Sequence, residues 1–166
     1  MSKWNTTNVA RACRAGLAGF ALVILSASLA EATYGPRTKI GTNYQQTSTT
    51  TSENAINEGN CSGGNTCFVL FQVPPGQKSL IVQHVSCRLG VSPGTNLLYG
   101  WLQTRNGQDF PLRRTSFVPV PTADIWWVVN SPVMHLVKAG ERPVVLFVNS
   151  AGANWSAECT ISGKLQ

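Results

Sequence analysis

The chain is short of acids. Of its 166 residues, 7 are Asp or Glu against 13 Lys and Arg, and only 2 are His. Glycoside hydrolysis needs two carboxylates about 5–9.5 Å apart. No two of these acids stand at i, i+2, the spacing that would put both on one face of a strand. The two histidines, His84 and His135, and the two aspartates, Asp109 and Asp124, allow a Ser-His-Asp set to be written, but nothing places them together. Gly90, Ser92 and Gly94 match G-x-S-x-G. A nucleophile elbow needs a helix next, and here the following segment reads as a strand, so the motif is a turn. No C-x₂-C pair is present, which removes the close-spaced signature of structural zinc. Met134 and His135 are neighbours on a strand and face opposite sides, so they do not ligate one copper ion together. No cofactor or metal is expected, and the chain is read as non-enzymatic.

Long apolar runs are also scarce. The one candidate, residues 15–30, follows Lys3, Arg11 and Arg14 and precedes Ala30-Glu31-Ala32. A positive start, a short apolar core and a small-x-small site make a secretory leader. The run is shorter than the ~20 residues of a spanning helix, so residues 1–32 are read as a signal-peptide helix and no membrane span is expected after cleavage. Removing Lys3, Arg11, Arg14 and Glu31 lowers the formal charge from +6 to +4. The remaining cations are not gathered into a run. Nucleic acid is therefore not an expected partner, whereas an anionic envelope or polysaccharide partner fits a weak net cation. The expected location is secreted or periplasmic.

Cleavage would leave four cysteines, Cys61, Cys67, Cys87 and Cys159. An even number in an exported domain reads as two disulfides, with three connectivities open. The favoured pairing joins Cys61 to Cys67 around a polar Ser-Gly-Gly-Asn-Thr loop, and Cys87 to Cys159 between strands distant in sequence.

Residues 33–60 are rich in Thr, Ser, Asn and Gln, with Tyr34, Ile40, Tyr44 and Ile56 their only large apolar side chains. They are expected to form a partly disordered polar arm carrying one edge strand near 40–46. Residues 61–166 read as the folded domain. Strands are expected at 68–73, 80–89, 97–104, a broken stretch at 110–120, 125–130 and 133–137 split by Ser131-Pro132, then 144–149 and a last strand from Trp155. That last strand alternates cleanly. Trp155, Ala157, Cys159, Ile161 and Leu165 share one parity, and Ser156, Glu158, Thr160, Ser162 and Lys164 share the other. Cys87 shares parity with Ile81, Val85 and Leu89, so both Cys87 and Cys159 are expected to face the core. No helix period follows residue 32. Short strands with frequent turns predict an all-β antiparallel sandwich of jelly-roll type. The Cys87, Trp101 and Cys159 spacing keeps an immunoglobulin-like sandwich as the alternative.

Phe71-Gln72-Val73-Pro74-Pro75-Gly76-Gln77-Lys78, running on through Ser79 to His84-Val85-Ser86-Cys87, resembles a pattern found in uncharacterised exported bacterial β-sandwich proteins. In them a Val-Pro-x-Gly-Lys turn leads into a strand ending near His-Val-Ser. The resemblance spans about a tenth of the chain. It implies a bacterial exported β domain and no particular activity.

The aromatics are the candidate ligand groups. Trp126 and Trp127 are strand neighbours facing opposite ways. Trp127 shares parity with Ile125 and Val129 and is assigned to the core. Trp126 shares parity with Asp124 and Asn130 and is left more exposed, with burial under a loop or the N-terminal arm as the other reading. An outward Trp beside polar groups stacks on sugar rings or anchors a protein. Tyr99 and Trp101 share a face and are expected to extend the patch, with Arg113 and Arg114 adding anion contacts. The leading expectation is an exported binding domain acting on a glycan or envelope component. The alternatives are an assembly subunit that pairs with another protein through a sheet edge, and a small envelope hydrolase.

Overall fold

Period-two alternation makes a pleated ribbon with one face to bury. In the computed structural model, which describes residues 34–51, 61, 64–106, 113–152 and 154–166, ten such ribbons form among those residues. They are β1 (Tyr34–Ile40), β2 (Asn43–Thr51), β3 (Thr66–Leu70), β4 (Leu80–Val91), β5 (Leu97–Arg105), β6 (Arg113–Phe117), β7 (Val120–Ala123), β8 (Trp126–Val137), β9 (Arg142–Asn149) and β10 (Trp155–Leu165). The leader helix and cleavage site expected over 1–32 lie outside the described residues. No helix among the described residues is long and apolar enough to cross a membrane.

The strands make two antiparallel sheets, ordered β1-β2-β10-β4-β8-β7 and β3-β9-β5-β6. The pairings β2·β10, β3·β9, β4·β8 and β5·β6 nest inside one another. One long hairpin, going out through β2 to β5 and returning through β6, β8, β9 and β10, is rolled into two layers. That order is the jelly roll. The immunoglobulin-like alternative fails on two counts. Cys87 and Cys159 face each other on neighbouring strands of one sheet, and so do not bridge two sheets. Trp101 belongs to the outer side of the other sheet rather than to the core beside them.

The core lies between the sheets. Leu80, Val82, Val85 and Leu89 from β4 meet Leu102, Val145 and Phe147 from the opposite layer. Phe117 packs edge-on against Phe147, ring centroids 5.9 Å apart. Each fully buried aliphatic side chain contributes about 1.5–3 kcal/mol. Both expected disulfides form, Cys61–Cys67 and Cys87–Cys159, and all four cysteines are buried. They are compatible with an exported, disulfide-stabilised domain.

Several expectations need correction. Residues 34–51 are not a loose arm with one edge strand: they form β1 and β2, and β2 is interior, between β1 and β10. Its inward side chains are Tyr44, Gln46, Ser48 and Thr50. The Gln46 and Ser48 side-chain oxygens are bonded there, whereas Gln46 Nε2 is buried without a partner. Tyr44 Oη donates to Gln46 Oε1 (2.8 Å), the Gln72 N–H donates to the same oxygen (3.3 Å), and Ser48 Oγ donates to the Leu70 carbonyl (2.6 Å). Ser131-Pro132 does not split a strand, because β8 runs through it. The register with β4 slips between Val82 and His84, opposite His135 and Pro132, and β7 pairs with β8 only near its start. A proline is tolerated where one side is open and the ladder is already irregular. The same slip inverts parity, so Val82 faces the core and Ile81 does not. It recurs against β10 at Ser162 and Gly163, where a Cβ on Gly163 would sit 2.0 Å from the Ile81 carbonyl oxygen; only glycine fits. The broken strand expected at 110–120 is two strands in different sheets, β6 in one and β7 in the other, with Val118-Pro119 at the crossover.

Candidate functional site

Register decides which outward side chains become neighbours. On the outer side of the four-stranded sheet, one cross-strand row reads Phe68, Leu146, Trp101 and Ser116. The next reads Leu70, Val144, Gln103 and Arg114, and a third places Thr66, Val148 and Tyr99 together. Arg105 stands opposite Arg142 at the far end. Leu70, Val144 and Leu146 are buried, yet they belong to this outer face and not to the core between the sheets.

Aromatic rings and guanidinium groups cover this apolar floor. Tyr99 and Trp101 meet edge to face with centroids 4.7 Å apart, and Tyr99 is 40% exposed. The Arg114 guanidinium lies over Trp101 at 5.1 Å and that of Arg105 over Phe68 at 4.7 Å. Cation–π contacts of this kind contribute about 0.5–1 kcal/mol where exposed. The Gln103 amide is assigned with its oxygen toward Arg105, accepting from Nη2 (3.1 Å) and Nε (3.2 Å). None of these face positions carries a carboxylate. The face therefore presents the Tyr99 and Trp101 rings beside positive charge, over an aliphatic floor that is itself buried.

Trp126 is elsewhere. It projects from the outer side of the six-stranded sheet, so the structure joins Tyr99, Trp101 and Arg114 but does not bring Trp126 to them. Trp127 enters the core as expected. Arg113 is separated from Arg114 by strand alternation. It pairs with Glu141, and its Nε donates to the Leu136 carbonyl (3.1 Å), tying β6 to β8 across the layers. Arg113 is thus a structural tie and not part of the aromatic face.

Beside it, His135 is buried, with Nδ1 sharing a hydrogen bond with Thr115 Oγ1 (2.8 Å). Burial, then the Arg113 charge, hold its imidazole below the ordinary value of 6.5, outweighing the opposite pull of Glu141. Burial pushes Glu141 up, but the Arg113 bond and the Lys138 N–H (2.8 Å) outweigh it and leave the carboxyl below its ordinary 4.5. His84 is an outward residue whose Nε2 shares a hydrogen bond with Asn130 Oδ1 (2.7 Å). Met134 is exposed and His135 buried, on opposite sides of β8. The G-x-S-x-G segment ends β4 and turns into β5.

Sequence reasoning missed Phe68, Leu146 and Arg105 on the aromatic face, and Arg88, Gly90 and Glu158 around Trp126. One signal was available. Val144-Val145-Leu146-Phe147-Val148 is apolar on both parities, which marks a strand with two apolar faces. Neither a family model nor a curated protein matches the chain.

Proposed function

We propose that this jelly roll is a non-catalytic binding domain of the cell envelope or extracellular space. Its ligand is an anionic polysaccharide, held on the outer side of the four-stranded sheet. The observation that carries the reading is the Tyr99–Trp101 pair under Arg114 on a face that carries no carboxylate among the described strand positions. Trp101 and Tyr99 offer apolar ring surface to a sugar, and Arg114 offers a fork of donors to a uronate carboxylate or a sulfate. The outer side of an antiparallel sheet is ordinarily polar, and an apolar patch on it is characteristic of an interaction site. The non-catalytic part of the reading is supported by how the candidate groups are committed: Glu141 to Arg113 and the Lys138 N–H, and His135 to Thr115.

The test is binding of polygalacturonate and of a sulfated glycan, with an uncharged glucan as control, by calorimetry at two salt concentrations. Both anionic polymers should bind, more weakly at high salt. Trp101→Ala and Arg114→Ala should each weaken binding about tenfold, as expected of a hot-spot side chain. Equal affinity for all three polymers, or affinity unchanged by both variants, would sink the reading. A second reading, an assembly subunit, draws on the edge strands β1 and β7, where Ile40 is 71% and Val120 56% exposed. Light scattering separates the two: the binding reading expects a monomer without ligand.

A further inference from the structure

The opposite face carries a different arrangement. On the outer side of the six-stranded sheet, Ser156, Gly90 and Trp126 form one cross-strand row, and Thr49, Glu158, Arg88 and Val128 form the next. The Trp126 indole reaches across Gly90 toward Ser156. A Cβ on Gly90 would lie 3.1 Å from Trp126 Cζ3 and 2.8 Å from Ser156 Oγ. Glycine inside a strand weakens it, and here its bare backbone is what seats the ring. Arg88 lies over that ring, 4.3 Å from the centroid, and it forms no ion pair with Glu158 although the two residues are direct cross-strand partners. A strong donor and a strong acceptor thus stand on facing strand positions, with the indole under the guanidinium.

Between them is a shallow pocket of about 250 Å³ lined by Trp126, Arg88, Glu158, Ser156 and Thr49. Enclosed pockets for larger ligands run about 300–1,000 Å³, so this one suits a single ring at an open surface. We infer that the pocket is a subsite for one uncharged pyranose of a neutral glycan, separate from the anionic-polysaccharide face. Trp126 takes the apolar side of the sugar, Glu158 accepts from its hydroxyls, and Arg88 with Ser156 donates to its oxygens. The mixed charge sets the class. Arg88 and Glu158 cancel, so the pocket gives no net attraction to a uronate, a sulfate or an amine.

The experiment is titration of the disulfide-bonded chain with cellohexaose, maltohexaose, mannohexaose and chitohexaose, with oligogalacturonate as the charged control. Binding is read from the Trp126 indole N–H resonance, identified by its loss in Trp126→Phe. At least one neutral hexasaccharide should shift that resonance. Trp126→Ala should weaken the binding about tenfold or more, and Glu158→Gln severalfold, while Trp101→Ala leaves it unchanged. Glu158 is an exposed side chain, so Glu158→Gln keeps the test decisive if Trp126→Ala does not fold. The inference is overturned if no neutral oligosaccharide moves the Trp126 resonance, if oligogalacturonate moves it equally, or if binding survives both variants. None of these outcomes bears on the polygalacturonate measurements that test the other face.

Discussion

The two sheets bury similar inner faces and present opposite outer ones. The six-stranded sheet shows water hydroxyls, amides and charges: Thr47 bonds Thr160 (2.8 Å), His84 bonds Asn130, and one Trp sits at the end. The four-stranded sheet shows an apolar floor under arginines. The first is the ordinary solution for an antiparallel sheet with one side in water. The second departs from it, and the proposed binding face rests on that departure.

The covalent ties give the largest effects by which to test the contrast. Cys87–Cys159 closes a separation of 72 residues within the six-stranded sheet, and Cys61–Cys67 a separation of 6 at the border of the other. In the chain-entropy model, replacing the first pair by Ala lowers unfolding free energy by about 4 kcal/mol and the second by about 2. Urea denaturation of the two double variants checks the order, and a reversed order contradicts it.

Outer-face substitutions come next. Val144→Ala, on the four-stranded sheet, should cost about 2 kcal/mol because that side chain is fully buried. Thr160→Ala, on the six-stranded sheet, should cost about 1 kcal/mol or less, the worth of its bond to Thr47. Equal costs would mean that the two outer sides do not differ.

Acid should then loosen the tie between the layers. The folded protein holds His135 below 6.5, so protons bind the unfolded chain preferentially. Stability is therefore greatest above pH 6.5 and declines as pH falls from there toward the folded value. Glu141, held below 4.5, adds stability above that pH which is lost as pH falls through its folded value. Melting temperature against pH should decline in both windows, and His135→Gln should remove the upper step alone. A wild-type profile flat from neutrality to pH 5 would contradict the assignment.

The smallest stability change is also the most specific test. Ser116→Glu places a carboxylate beside Trp101 at an exposed position. Stability should move by less than about 0.5 kcal/mol, while affinity for polygalacturonate should fall severalfold. Unchanged affinity would count against the positive face.

Legibility from the sequence followed how far each signal was local. β10 could be read because one parity is apolar and the other polar along its whole length, and Trp126 and Trp127 separated as their parity requires. Both disulfides followed from loop closure and parity. β2 was hidden because both of its parities are polar, and what keeps Gln46 and Ser48 inside is hydrogen bonding to Gln72 and Leu70, far along the chain. The slip between Val82 and His84 has no local mark, and it inverted the reading of Ile81. The aromatic face was half legible: Tyr99 and Trp101 share a strand, whereas Phe68, Leu146 and Arg114 join them only through cross-strand register. Arg113 and Arg114 looked equivalent until alternation sent one to each side.

β10, the last strand in sequence, inserts between β2 and β4, two of the earliest. Until β10 is in place the larger sheet has a gap between β2 and β4. The sheet closes once that strand pairs on both sides, and the Cys87–Cys159 bond then locks it.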